Sequence, residues 1–333
     1  MDKEKKNLSK KILIVLGILT VGIGSGFYIG KEKGRVLPAT SRNYSDNKII
    51  ATVGDVKIKE KELKNRMEPI FYMNGKTKMT DEQIDYYEQN MIDYITTTEM
   101  LYQEGVKNKI KVDKKDIESQ YKSLMTTISQ SFGLDEESYL KKFKLTKDEI
   151  KKTIEKETIA TKEIEKESNI RDKDVEKYYN ENKDKFNEVK ASHILIKNTD
   201  ENDKKLDEAK LKENKKIAED VLKKALEGVS FEELAKKYSE DTSAQSGGDL
   251  GFFGKGQMVS EFENVAFKLN KGEISPKLVE TKYGYHIIKK TDERMKSLED
   301  VKESLKEQLM LEKQNTFIEK LTKKYKVDVK NKL

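Results

Sequence analysis

Gly247-Gly248-Asp249-Leu250-Gly251-Phe252-Phe253-Gly254-Lys255-Gly256 places five glycines within ten residues. Glycine reaches backbone conformations closed to other residues, so this density marks tight turns and close backbone approach. It is not a phosphate loop: the Gly-x-x-x-x-Gly-Lys-Ser/Thr pattern is absent, and Gly248-Asp249-Leu250-Gly251 does not fit a dinucleotide turn. Upstream, Ser230-Phe231-Glu232-Glu233 starts a helix by the capping-box rule, and Asp203 to Leu226 reads as another helix ending at Gly228. Before these, Val189 to Ile196 is short and partly alternating, as a strand is. Downstream, Tyr285 to Lys289 returns to strand character. These elements set residues 186–292 apart from the sequence on either side.

The flanks are helical. Ile49 to Val53 and Val56 to Ile58 border Gly54-Asp55, a hairpin signal. Ile84, Tyr87, Met91, Tyr94, Ile95, Leu101 and Tyr102 then fall at three- and four-residue steps, giving one apolar stripe. Ile117, Tyr121, Leu124 and Ile128 form a second stripe after Asp113, an N-cap. Thr146-Lys147-Asp148-Glu149 is a capping box opening a helix toward Ser168. We read these stripes as core. After Ser297, Val301, Leu305, Leu309, Phe317, Ile318 and Leu321 make another stripe that needs a partner. The helices of the first half are the natural one, so 48–185 and 293–333 are expected to form one discontinuous all-α domain.

The N-terminus predicts a membrane anchor. Lys10-Lys11 precedes an uncharged apolar run from Ile12 to Gly30, closed by Lys31-Glu32-Lys33. Nineteen residues at helical rise nearly cover a bilayer core of ~30 Å. Gly22, Gly24, Ser25 and Gly26 would suit a signal peptidase, but Phe27-Tyr28-Ile29 continues the run past them, which favours an uncleaved transmembrane helix. Residues 1–11 are then a cytoplasmic basic tail and 31–47, with Pro38, a linker. The expected location is the cell membrane, single-pass, with the bulk of the chain extracytoplasmic.

Composition removes several classes of function. In 333 residues, 67 basic and 61 acidic side chains leave a net charge of +6. Lys and Glu interleave, as in Lys59-Glu60-Lys61-Glu62, which describes solvated helix faces rather than a basic nucleic-acid footprint. There is no cysteine, hence no disulfide, thiolate metal site or cysteine lipidation. With only two histidines, His193 and His286, and no calcium-loop spacing, no metal and no cofactor is expected.

Residues from about Val189 to Thr291 resemble the parvulin family of prolyl isomerases. The resemblance rests on Ala191-Ser192-His193-Ile194-Leu195, Tyr238-Ser239-Glu240-Asp241-Thr242-Ser243, the run from Gly247 to Phe253, Gly256-Gln257-Met258-Val259 leading to Glu261-Phe262, and Tyr283 to Ile288. All occur in order over about a hundred residues. The wider architecture resembles the PrsA-type foldases of Gram-positive bacteria, although outside the isomerase region the likeness is diffuse. It implies an α+β fold: a parvulin-like domain, with a small antiparallel sheet and surrounding helices, inserted in an all-α chaperone-like domain after the N-terminal helix. Typical members are lipoproteins held through a cysteine, so here the helix Ile12–Gly30 is the expected substitute.

The resemblance implies a peptidyl-prolyl cis-trans isomerase and foldase. Its partners would be unfolded or partly folded secreted proteins containing X-Pro bonds, and a homodimer would form through the helical domain. By the family match, Leu250, Met258 and Phe262 form the apolar slot for the proline ring. His193 and His286 correspond to the family's paired histidines, Thr281 supplies a neighbouring hydroxyl, and Asp241 takes the position that is cysteine or aspartate across the family. Read as residues alone, the slot residues are ordinary core, and Asp241 is a loop aspartate capping Thr242 to Ala244. The loop Lys197 to Lys205 mixes three acids among its lysines, a poor receptor for a phosphate dianion, so no phosphate requirement is expected. The competing reading is a holdase chaperone whose parvulin module is catalytically idle.

Overall fold

The computed structural model describes residues 44–73, 79–200 and 204–330. The expected anchor at 12–30 and the basic tail before it lie outside the described residues. No helix among the described residues is long and apolar enough to cross a membrane. The chain divides into two units, one built from the described residues up to Ile170 together with those from Glu307 on, the other from Arg171–Lys306.

The first unit opens with a hairpin, β1 (Ile49–Val53) and β2 (Val56–Lys59), turning at Gly54-Asp55 with Val53 opposite Val56. Five helices follow: α1 (Glu60–Met73), α2 (Asp81–Lys107), α3 (Lys114–Phe132), α4 (Glu136–Phe143) and α5 (Lys147–Ser168). Their starts are written locally. Thr80 and Thr146 close capping boxes with Gln83 and Glu149, while the Asp113 and Asp135 side chains accept from Lys115 and Ser138 amides. Each orphan amide so satisfied contributes about 1 kcal/mol to a helix start.

Two apolar clusters hold this unit. One joins Ile50, Val53 and Leu63 to Ile95, Leu101, Ile318 and Leu321; the other joins Ile117, Tyr121 and Ile128 to Tyr139, Phe143 and Ile150. Ile318 and Leu321 belong to a long helix that crosses from one unit into the other, labelled α10 below. The expectation of an all-α domain is corrected here. Asp328–Val329 pairs antiparallel with β1, opposite Thr52 and Ala51, giving a three-stranded sheet. A two-stranded hairpin is marginal in water, and a third strand with helices over one face supplies the missing pairing and burial.

The second unit begins with α6 (Asp172–Glu181) and a 3₁₀ turn, Lys183–Phe186. Then come β3 (Asn187–Lys197), α7 (Glu208–Leu226) and α8 (Phe231–Tyr238). A 3₁₀ turn, Thr242–Ser246, leads to β4 (Asp249–Gly254), α9 (Ser260–Ala266), β5 (Val279–Thr281), β6 (Gly284–Met295) and α10 (Leu298–Lys324). Asp328–Val329 is therefore β7. The sheet is antiparallel in the order β4-β3-β6-β5, so the two central strands carry the histidines. Helix α7 starts five residues later than the spacing suggests. Asp207 caps it by accepting from the Lys210 amide, while Lys205 bridges back to Thr199.

Candidate active site

β3 and β6 are paired so that His193 lies opposite Ile288, and Leu195 opposite His286. The two imidazoles therefore lean toward each other across adjacent central strands. They stack with centroids 5.3 Å apart, and their Nδ1 atoms are 3.1 Å apart. Two ring nitrogens at hydrogen-bond distance require one donor and one acceptor, so at least one ring has its proton on Nδ1. Which ring it is depends on the groups at the two ends of the pair, Thr281 on β5 and Asp241. Thr281 Oγ1 lies 2.9 Å from His286 Nε2 and also accepts from the Tyr283 amide at 3.1 Å.

A hydroxyl has two lone pairs, so Thr281 alone does not set the direction. The Asp241 carboxylate only accepts and faces His193 Nε2, which places the His193 proton there and makes the Thr281 hydroxyl the donor to His286 Nε2. His286 then holds its proton on Nδ1 and donates to His193 Nδ1. His193 Nε2 is 3.2 Å from Asp241 Oδ1. The contact is close but off the line of a hydrogen bond, and Nε2 has no aligned partner. Thr281, His286, His193 and Asp241 thus form one directed relay with a carboxylate at its end.

Electrostatics favour a neutral pair of rings. Burial pushes His286 down to about 4; the neighbouring His193 acts the same way and Asp241 opposes both. His193 is likewise lowered by burial, with Asp241 partly offsetting it. Burial works against the Asp241 carboxylate. Hydrogen bonds from the Ser243 hydroxyl and amide, and then the nearby His193 ring, outweigh it and hold Asp241 at about 2. Asp241 is therefore both the N-cap of the 3₁₀ turn and a neighbour of His193; each reading of it describes part of its surroundings.

Backbone devices place these groups. β4 pairs with β3 only as far as Ser192. Beyond it Ser239 and Glu240 take over the strand edge: the Glu240 amide donates to Leu195 O at 2.8 Å, the Leu195 amide to Ser239 Oγ at 3.1 Å, and the Lys197 amide to Glu240 Oε2 at 2.6 Å. Asp241 follows directly and is fixed beside His193. Gly248, at φ +78°, accepts from the His193 amide at 2.9 Å, and a Cβ there would sit 2.1 Å from His193 O. No side chain fits that approach.

Phe262 stands edge-on to both imidazoles, 5.7 Å from His193 and 5.5 Å from His286. It is buried in a cluster with Val189, Phe253 and Ile288, against which half-buried Leu250 and Met258 pack. All seven residues named from the sequence therefore meet in this unit: four in the relay, three in the apolar cluster beside it. Ser239, Glu240, Ser243 and the Tyr283 amide join the site beyond the seven residues expected there. The Asp241-x-Ser243 and Thr281-x-Tyr283 spacings are both signals for local turns; Ser239 and Glu240 act through contacts with β3 more than forty residues away. Among the described residues no three His, Asp or Glu side chains come together to hold a metal.

A family model described as a PPIC-type PPIASE domain matches residues 175–294. Foldase protein PrsA of Bacillus subtilis (strain 168) is 36% identical over 242 residues, covering 71% of this chain and 74% of that protein. Foldase protein PrsA of Caldanaerobacter subterraneus subsp. tengcongensis is 34% identical over 236 residues, covering 71% and 67%. A crystal structure of peptidylprolyl isomerase (PrsA) from Bacillus cereus aligns over 84% of this chain and 92% of that one, at 25% identity and a TM-score of 0.41.

Proposed function

As this protein belongs to the PrsA family of foldases, we propose that the X-Pro bonds of its clients are turned at the relay of Thr281, His286, His193 and Asp241, with Leu250, Met258 and Phe262 holding the proline ring. The protein is a parvulin-type peptidyl-prolyl cis-trans isomerase and a foldase for secreted proteins. The observation that carries the placement is the directed relay, buried except at Asp241 and bordered by the Phe262 ring.

An X-Pro bond turns over a barrier of ~18–20 kcal/mol, in tens of seconds or more without a catalyst. No bond breaks. The site must bind the twisted amide more tightly than either planar form. Resonance in the planar amide places negative charge on its carbonyl oxygen. A carboxylate facing that oxygen disfavours the planar form and loses this repulsion as the bond twists. The neutral histidines hold Asp241 and the slot in place without moving a proton themselves. No phosphate on the substrate is needed.

The test is protease-coupled isomerisation of an unphosphorylated tetrapeptide by the full chain. His193→Ala and Asp241→Ala should each lower kcat/KM by about a hundredfold, on the scale of a positioned polar group in an active site. Phosphoserine before the proline should change it less than about threefold. Wild-type rates in both variants would remove the relay from the mechanism.

A second activity is supported by a groove within the first unit, lined by apolar side chains from α1, α2, α3 and α5. It suits a holdase role for a chaperone domain made of residues 48–185 and 293–333, into which the isomerase domain, 186–292, is inserted. The apolar run at 12–30 fits tethering to the cell membrane with the rest of the chain outside the cytoplasm, and the helical body is the part through which a homodimer would form.

A further inference from the structure

The groove within the first unit has a volume of about 520 Å³, in the range of sites for small ligands and enough for roughly three bulky side chains. Its floor comes from helical faces repeating every three or four residues: Ile70 on α1, Met91 on α2, Leu124, Ile128 and Phe132 on α3, and Ile154 on α5. Its rim is basic. Lys57 and Lys59 project from one face of β2, two residues apart, while Ile58 between them is buried on the other. Lys61 and Lys152 complete the rim, and all four lysines are exposed.

The acidic residues lining the groove are already engaged. Glu157 accepts from Arg66 and, at 2.8 Å, from the Tyr94 hydroxyl; Glu62 lies 3.9 Å from Arg66. Glu149 accepts from the Thr146 amide and hydroxyl, both at 2.8 Å, in the cap of α5. Lys59 has only the Asn47 side-chain oxygen at 3.4 Å, and Lys57, Lys61 and Lys152 pair with no carboxylate among the described residues. Glu149 feels Lys61 and Lys152 without pairing with either, so an apolar floor sits under a rim in excess of positive charge.

Resting on the foldase reading above, we propose that this groove holds short stretches of unfolded client chain in which aliphatic or aromatic side chains are flanked by Asp or Glu. The apolar residues fill the floor and the carboxylates reach the rim lysines. Proline plays no part in this recognition. A second copy of this chain is the poorer occupant, since a two-fold contact through the groove would set the lysine rim against itself. Because the rim is solvated, the preference depends on salt and is largest at low ionic strength.

Fluorescence anisotropy with the full chain tests this, using three labelled proline-free nonapeptides that share a Leu-Phe-Ile-Leu centre flanked by Glu, Gln or Lys. The Glu peptide should bind about tenfold more tightly than the Gln peptide at low salt, and the Lys peptide least. Reversing Lys57→Glu, Lys61→Glu and Lys152→Glu together should abolish or invert the order. Leu124→Asp should weaken all three, with circular dichroism showing each variant folded. Equal binding of the three peptides, no binding of any, or an order that survives the triple reversal overturns the proposal. So does sedimentation showing wild-type self-association that the triple reversal abolishes, since a second copy would then occupy the groove. The tetrapeptide assay run alongside keeps the two readings apart: charge-ordered binding without isomerisation would leave the groove standing and remove the isomerase site.

Discussion

In the second unit, buried polar side chains stand in line and each fixes the orientation of the next. In the first, the polar groups of the groove pair off among themselves and leave an apolar floor under solvated lysines. The first arrangement suits a site that must distinguish a twisted amide from a planar one. That needs groups which cannot reorient, so it is buried, directional and built on central strands. The second suits a surface that accepts many sequences, where area and charge matter more than alignment. On the proposed reading, the most constrained backbone of the chain serves catalysis and its helical faces serve capture.

The sharpest way to break this contrast is at Gly248. A Cβ placed 2.1 Å from His193 O, at a positive φ, forces β3 and the glycine turn apart. Gly248→Ala should destabilise the second unit by about 3 kcal/mol or more and abolish isomerisation. Peptide-resolved hydrogen exchange should show the loss there, with the first unit's helices protected as before. Equal loss in both units would mean that the two do not differ in constraint.

A smaller effect is expected from Thr281→Val, which keeps the shape and removes the hydroxyl. His286 Nε2 loses its donor and the Tyr283 amide its acceptor, at about 1–2 kcal/mol in stability. If the relay sets the tautomers, kcat should fall about tenfold with little change in KM, and the ¹⁵N shifts of both histidines should lose their single-tautomer pattern. Unchanged shifts would show that packing alone orients the rings.

The gentlest test uses pH, since buried groups in the two units should contribute with opposite signs. His286, held at about 4, and His193, also lowered, bind fewer protons folded than unfolded. Their contribution is present above about 6.5, the unfolded value, and is lost as pH falls toward 4. In the first unit Glu163 is buried; one carboxylate oxygen accepts from Asn108 and the other has no partner. Burial raises its pKa against the Asn108 bond, so its contribution is present below about 4.5 and is lost as pH rises through the raised value. Acidification from pH 7 to 5 should weaken the second unit, while in the first the gain at Glu163 runs against the lowered carboxylates of Glu104 and Glu149. Glu163→Gln should stabilise the first unit at pH 7 by on the order of 1 kcal/mol and remove that gain, read by the same exchange experiment. A first-unit pH response left unchanged by Glu163→Gln would contradict the assignment of Glu163.

Much of this was legible in one dimension. The hairpin at Gly54-Asp55, the caps at Asp113 and Thr146, the strands around His193 and His286 and the helix after Ser230 all lie where local chemistry places them. So does the apolar stripe of α2, of which Ile84, Met91, Tyr94, Ile95 and Leu101 are buried. What was missed depends on partners far along the chain. β7 is a two-residue strand with no pattern of its own, and it exists because β1 offers an unpaired edge. β5 is three residues long and is defined by β6.

The sequence by itself determined the kind of fold in the second unit and the seven residues that gather there, because glycine placement, caps and alternation are local signals and the ordered motifs match a family. Only the tertiary structure decided the direction of the relay, since that depends on which oxygen lies beside which ring nitrogen across three strands. It also decided that Met91 and Ile128, buried as their helical spacing predicts, and half-buried Leu124 beside them line a groove as well as the core. Periodicity tells which face of a helix is apolar; whether another helix covers that face is a matter of packing in three dimensions.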